Sequence, residues 1–149
     1  MRPAIILLSL FSWFIVACSE KPSPEKPKVN LQGSWKLLTG TLIENGDTTV
    51  TDYTRDRSFI KMLNQSHFAF LGHRLASDTP DFSGGGGRYR LEGDQYTEYL
   101  DYCNAKEWEG HEFHFTVSVH GDTLVQQGVE KIQAQGINRL NIERYLRIR

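Results

Sequence analysis

Turn residues recur at short intervals along this chain, and most of what lies between them alternates. Asn45-Gly46-Asp47, Asn64-Gln65-Ser66, Glu92-Gly93-Asp94 and His120-Gly121-Asp122 all carry tight-turn chemistry. The runs between them are rich in β-branched and aromatic residues. "SFIKML" (Ser58 to Leu63) and "HFAFLGH" (His67 to His73) flank one turn, and "GRYRLEG" and "DQYTEYLDYC" flank Gly93. "HEFHFTVSVH" and "DTLVQQGVEK" flank Gly121. "GSWKLLTGTLI" (Gly33 to Ile43) precedes these pairs, and "RLNIERYLRIR" ends the chain. The spacing predicts eight strands with three hairpins in sequence. Period-2 patterning agrees: Phe113, Phe115, Val117 and Val119 share one strand face, and His114, Thr116 and Ser118 the other. In the last segment Leu140, Ile142, Leu146 and Ile148 share one face, and Asn141, Glu143, Tyr145 and Arg147 the other. No convincing amphipathic helix is present, though "VEKIQAQGIN" can form a short helical turn. A helix-free meander hides its edges by closing. The expected fold is all-β, an antiparallel up-and-down β-barrel of about eight strands.

Four consecutive glycines, Gly84 to Gly87, raise a rival possibility. A phosphate loop needs G-x-x-x-x-G-K-[ST] between a strand and a helix. Here Arg88 follows the last glycine, and "YRLEGDQYTEY" alternates like a strand, which leaves no helix N-terminus to bind an anion. Glycine beside a strand marks a bulge, a bend or a close backbone approach.

The first 28 residues do not follow the alternating pattern. Arg2 precedes an apolar run, Ala4 to Ala17, shorter than the roughly 20 residues a membrane span requires. A charged start, an apolar stretch and a small residue describe a secretory signal peptide. Ile15-Val16-Ala17-Cys18 resembles the lipobox of bacterial lipoproteins. That resemblance implies a signal peptide over residues 1–17, cleavage after Ala17 and lipidation of Cys18; the alternative is an ordinary signal peptide with a chance cysteine. "SEKPSPEKPK" carries three prolines and no apolar face, so residues 18–28 read as an extended linker. Residues 29–149 are then one domain, long enough for a single core. Ser19 rather than an aspartate follows Cys18, which by resemblance to lipoprotein sorting leans towards the outer membrane of the bacterial cell envelope.

The full chain has a net charge of −1, and about −2 without the leader's arginine. No basic stripe stands out, which argues against a nucleic-acid partner. Of the two cysteines, Cys18 is spent on the lipid, leaving Cys103 to pack as a small side chain.

"LQGSWKLL" (Leu31 to Leu38) is similar to the G-x-W motif that opens the first strand of lipocalins and lipocalin-like bacterial domains. "GGGGRYRLEGDQYTEY" also looks like a segment of the small lipocalin-like domains. In that family an arginine of the last strand covers the first-strand tryptophan. The resemblance therefore implies that Gly33, Trp35 and Arg147 close the barrel end, with Arg144 as the other candidate. The middle and late strands do not match further lipocalin motifs, which leaves the ligand class open.

An eight-stranded barrel is just wide enough for its own side chains or one small ligand. Candidate wall residues are Phe68, Phe70, Phe113 and Phe115, with Tyr89, Tyr96, Tyr99 and Tyr102 adding hydroxyls to apolar bodies. Parity puts Tyr96, Glu98, Leu100 and Tyr102 on one face and Thr97, Tyr99 and Asp101 on the other, without saying which faces inward. "EWEGHEFH" does not make a metal site: on a strand His111 and His114 point apart. His67 and His73 share a face but stand about 20 Å apart. No metal, cofactor or catalytic residue is expected. Of the nearest carboxylates, Glu98 and Asp101 fall on opposite faces. The function expected is non-catalytic binding of a small apolar or amphipathic ligand by a protein held to the membrane through its lipid. The alternatives are a filled barrel contacting a protein partner, and an enzyme on a small hydrophobic substrate.

Overall fold

Every alternating segment is a strand in the computed structural model, which describes residues 29–75 and 81–149. In chain order the strands are β1 (Gly33–Glu44), β2 (Asp47–Asp52), β3 (Arg57–Leu63), β4 (His67–Arg74), β5 (Phe82–Glu92), β6 (Gln95–Cys103), β7 (Glu112–His120), β8 (Thr123–Ile132) and β9 (Ile137–Ile148). From β3 to β9 each strand pairs antiparallel with the next, and β9 returns to pair with β1. β1 and β3–β9 thereby close an eight-stranded antiparallel barrel of lipocalin-like architecture, with β2 as an additional strand. Closure leaves the eight ring strands no long open edge.

The β1–β2 hairpin turns at Asn45 (φ 52°) and Gly46 (φ 90°), the two left-handed residues a tight hairpin turn requires. The sequence predicts this turn but not the strand after it. "DTTVTD" is polar, and only Thr51 is even half-buried, so it shows no apolar alternation. β2 pairs with Thr39–Glu44 of β1, whereas β3 pairs with Gly33–Lys36 on the same edge. Among the described residues no ladder joins β2 to β3. At that seam the Tyr53 ring meets Phe59 edge-on, at 6.0 Å between centroids.

The four glycines lie inside β5 rather than before it, and a register shift falls between Gly86 and Arg88. They serve close approach. A Cβ on Gly87 would sit 1.9 Å from the Tyr99 carbonyl oxygen, and one on Gly86 would sit 2.4 Å from that of Phe68. The expected helical turn after β8 is reduced to a 3-10 turn, Gln133–Gln135, ended by Gly136.

Inward positions carry a mixed core. Trp35, Leu37, Leu63, Phe68, Tyr96, Phe115, Val117, Leu124 and Tyr145 are buried together. Each such apolar side chain stabilises the fold by roughly 1.5–3 kcal/mol. On β8 and β9 the usual arrangement is partly reversed. Gln126, Glu130 and Asn141 are buried, while Val129, Leu146 and Ile148 are exposed on the outside.

Candidate functional site

One end of the barrel is shut. Trp35 has no exposed surface, and its indole Nε1 donates to the Leu31 carbonyl at 2.8 Å. The Arg147 guanidinium covers the other side of the indole, and its Nη1 donates to the Gln32 carbonyl at 2.7 Å. The chain before β1 is thus tied across the barrel floor. Gly33 stands beside this stack with φ 124°, and a Cβ there would lie 2.9 Å from Arg147 Nη1. Arg144 is exposed on the outer face.

The opposite end holds a cavity of about 270 Å³. Its mouth is apolar and aromatic, with Leu42, Tyr53, Phe59, Phe70, Trp108 and Phe113. Strand direction explains this: the C-terminal halves of β1, β4, β6 and β8 and the N-terminal halves of β3, β7 and β9 all converge on the rim. A bulge at Leu37/Thr39 changes the phase of β1, so that Gly40 and Leu42 face the cavity further along.

The cavity floor is polar. Lys61 is 3 % exposed, yet its ammonium is fully engaged. It pairs with Glu98, donates to Gln126 Oε1 at 2.9 Å, and lies 5.2 Å from the ring centroids of both Phe68 and Tyr96. A second cluster stands on the β8–β9 wall. Arg139 Nε donates to Glu130 Oε2 at 2.7 Å, and Asn141 Nδ2 donates to Glu130 Oε1 at 2.8 Å. The Arg139 guanidinium also covers Trp108, at 5.1 Å from its ring centroid.

Glu143 completes the floor. The Tyr145 hydroxyl donates to its Oε2 at 2.8 Å. Among the described residues no lysine or arginine is within ion-pair distance of it. Desolvation pushes the Glu143 carboxyl above the usual carboxylate range, against the pull of Lys61. Burial, followed by the Glu143 charge, drives the Tyr145 phenol well above its ordinary value. The Tyr96 phenol is raised in the same way, by burial and then by Glu98. The Tyr96 hydroxyl lies near Glu98 without completing a hydrogen bond.

The predicted wall residues separate into three groups. Phe70, Phe113 and Phe115 line the cavity. Phe68, Tyr89 and Tyr96 sit below it, where they fill the closed half, and the Tyr89 hydroxyl donates to the Asn64 carbonyl at 2.7 Å. Tyr99 and Tyr102 do not belong to the wall. Tyr99 faces outward beneath the Arg88 guanidinium, which is held by Asp101. Tyr102 pairs with Gly86 beyond a register shift in the β5–β6 ladder, which turns it to the outer face, and it is 72 % exposed.

Glu112 and His114 form an exposed pair at 3.4 Å, and His67 and His73 are both exposed. Among the described residues no cluster of three or more His, Cys, Asp or Glu could hold a metal ion. Cys103 is a free, half-buried thiol. Cys18 and the linker lie outside the described residues.

Sequence reasoning missed Lys61, Glu130, Arg139, Asn141, Glu143, Tyr145 and Trp108. A signal for four of them was present. Arg139, Asn141, Glu143 and Tyr145 share parity with Arg147, and an Arg147 that covers an inward tryptophan turns that whole face inward. No protein-family model matches the chain, and no curated protein shows significant similarity to it.

Proposed function

We propose that this chain is a membrane-anchored lipocalin-like lipoprotein whose barrel binds a small apolar or amphipathic ligand without chemically transforming it. The observation that carries the binding role is the cavity of about 270 Å³, shut at one end by Trp35 and Arg147 and rimmed with aromatic rings at the other. Its volume falls just below that of drug-sized ligand pockets, which run from about 300 to 1,000 Å³, and so suits a small guest. An apolar rim over a polar floor suits a molecule with one end of each kind. The anchor rests on the lipobox-like Ile15-Val16-Ala17-Cys18 and the proline-rich tether after it. One acyl chain binds membranes only marginally, so firm attachment through Cys18 needs several.

Native mass spectrometry of the protein purified from its own host tests the binding role. An extra mass that denaturation removes is expected. An apo mass, together with no uptake of small aromatic probes, would leave a filled barrel acting through its surface. Cys18→Ser tests the anchor: the variant should move from the membrane pellet to the soluble fraction, and retention in the pellet would end the lipoprotein assignment.

A further inference from the structure

We propose that the cavity selects a small amphipathic amine, whose ammonium docks on Glu143 and whose apolar body lies among the rim aromatics. The inference rests on the ligand-binding role proposed above and names the chemistry of the ligand. The cavity wall carries three carboxylates, Glu98, Glu130 and Glu143, against two cationic side chains, Lys61 and Arg139. The cations are already committed. Lys61 serves Glu98 and Gln126, and Arg139 serves Glu130 with help from Asn141. Glu143 alone lacks a cation and receives only the Tyr145 hydroxyl.

A carboxylate enclosed by protein needs a proton or a cation to offset its desolvation. Glu143 lines the cavity and is only half-buried, which leaves it open to a ligand headgroup. An ammonium placed there would balance the wall charges and form a charge-assisted hydrogen bond. An anionic headgroup would meet a wall with one carboxylate in excess. The aromatic rim suits the apolar body, because Tyr53, Phe59, Phe70 and Trp108 line it with aromatic surface.

The titratable and charged groups facing Glu143 are Lys61 from β3, Tyr96 and Glu98 from β6, Glu130 from β8, Tyr145 on its own strand, and Tyr53 after β2. The raised Glu143 carboxyl sets the sign of the pH dependence. Acid protonates it and weakens amine binding; a neutral ligand is spared.

Isothermal titration calorimetry on the purified full-length protein provides the test, with phenethylamine, phenethyl alcohol and hydrocinnamate as probes of matched shape. The amine should bind about tenfold or more tighter than the alcohol, with the carboxylate weakest. Glu143→Gln should erase the amine's advantage over the alcohol. If that variant does not fold, the wild type still decides. Lowering the pH, which protonates the raised Glu143 carboxyl, should weaken the amine and spare the alcohol. Equal affinities for amine and alcohol, or a carboxylate that binds best, would overturn the amine inference and leave the binding role standing. No binding by any probe would remove both.

Discussion

The Arg147 guanidinium lies 4.0 Å from the centroid of the Trp35 ring, joining the last strand to the first across the closed end of the barrel. The pair seals the end with two chemistries at once. The indole supplies buried area, and the arginine bridges it to the Gln32 carbonyl. Trp35→Ala should cost about 3–5 kcal/mol in urea unfolding, the range for a large aromatic deleted from a core. Arg147→Met keeps an apolar stem over the ring and should cost only about 1–2 kcal/mol. A Trp35→Ala loss below about 1 kcal/mol would remove the indole from the core.

Lys61→Met should cost about 3–5 kcal/mol, because it leaves the Glu98 carboxylate buried without its cation. Lys61→Met combined with Glu98→Leu should recover most of that loss, since apolar replacements often match a buried ion pair. Denaturant midpoints of the two single variants and the double variant supply the coupling energy. Additive losses would show that the two side chains do not act as a pair.

Gly87→Ala drives a methyl group into the Tyr99 carbonyl and should cost about 3 kcal/mol or prevent folding. Gly93→Ala meets no neighbouring atom and bears only its left-handed φ of 64°, a penalty of about 1–2 kcal/mol. Thermal melts of the pair separate crowding from backbone strain. Similar melting temperatures would refute the close packing of β5 on β6.

Glu143 makes stability depend on pH in a definite direction. Its folded-state carboxyl is raised by burial, so the folded protein holds the proton more tightly than the unfolded chain does. Stability is therefore greatest below the unfolded pKa and falls as pH rises through the folded one. Glu143→Gln keeps an acceptor for the Tyr145 hydroxyl but cannot ionise. In ligand-free protein the variant should gain melting temperature over the wild type above neutrality and lose that advantage in acid. An identical pH profile for both proteins would show that Glu143 does not ionise at a cost to the fold.

The eight ring strands were legible because turns and alternation agreed along the chain. β2 was not, since a strand with no buried face leaves no apolar period to read. The aromatic wall was half legible. Parity grouped Tyr96 with Tyr102 but could not show that a register shift reverses the phase of β6 between them. The cavity floor was hidden for a different reason. Polar residues are expected outside, so nothing in their own residue types marks Glu130, Asn141 and Glu143 as inward, or Val129 and Ile148 as outward. Only the link from Trp35 to Arg147 carries the information that the last strand is turned the other way.

The divided edge of β1 gives the mouth an expansion joint. Around most of the circumference, widening the ring means breaking backbone hydrogen bonds between neighbouring strands. Between β2 and β3, which share no ladder among the described residues, it means separating Tyr53 from Phe59. An edge-to-face aromatic contact is worth about 0.5–1.5 kcal/mol beyond its buried area, well below the cost of parting a ladder of several bonds. Widening of the mouth is therefore easiest at one fixed place on the rim, while the sealed floor keeps its shape.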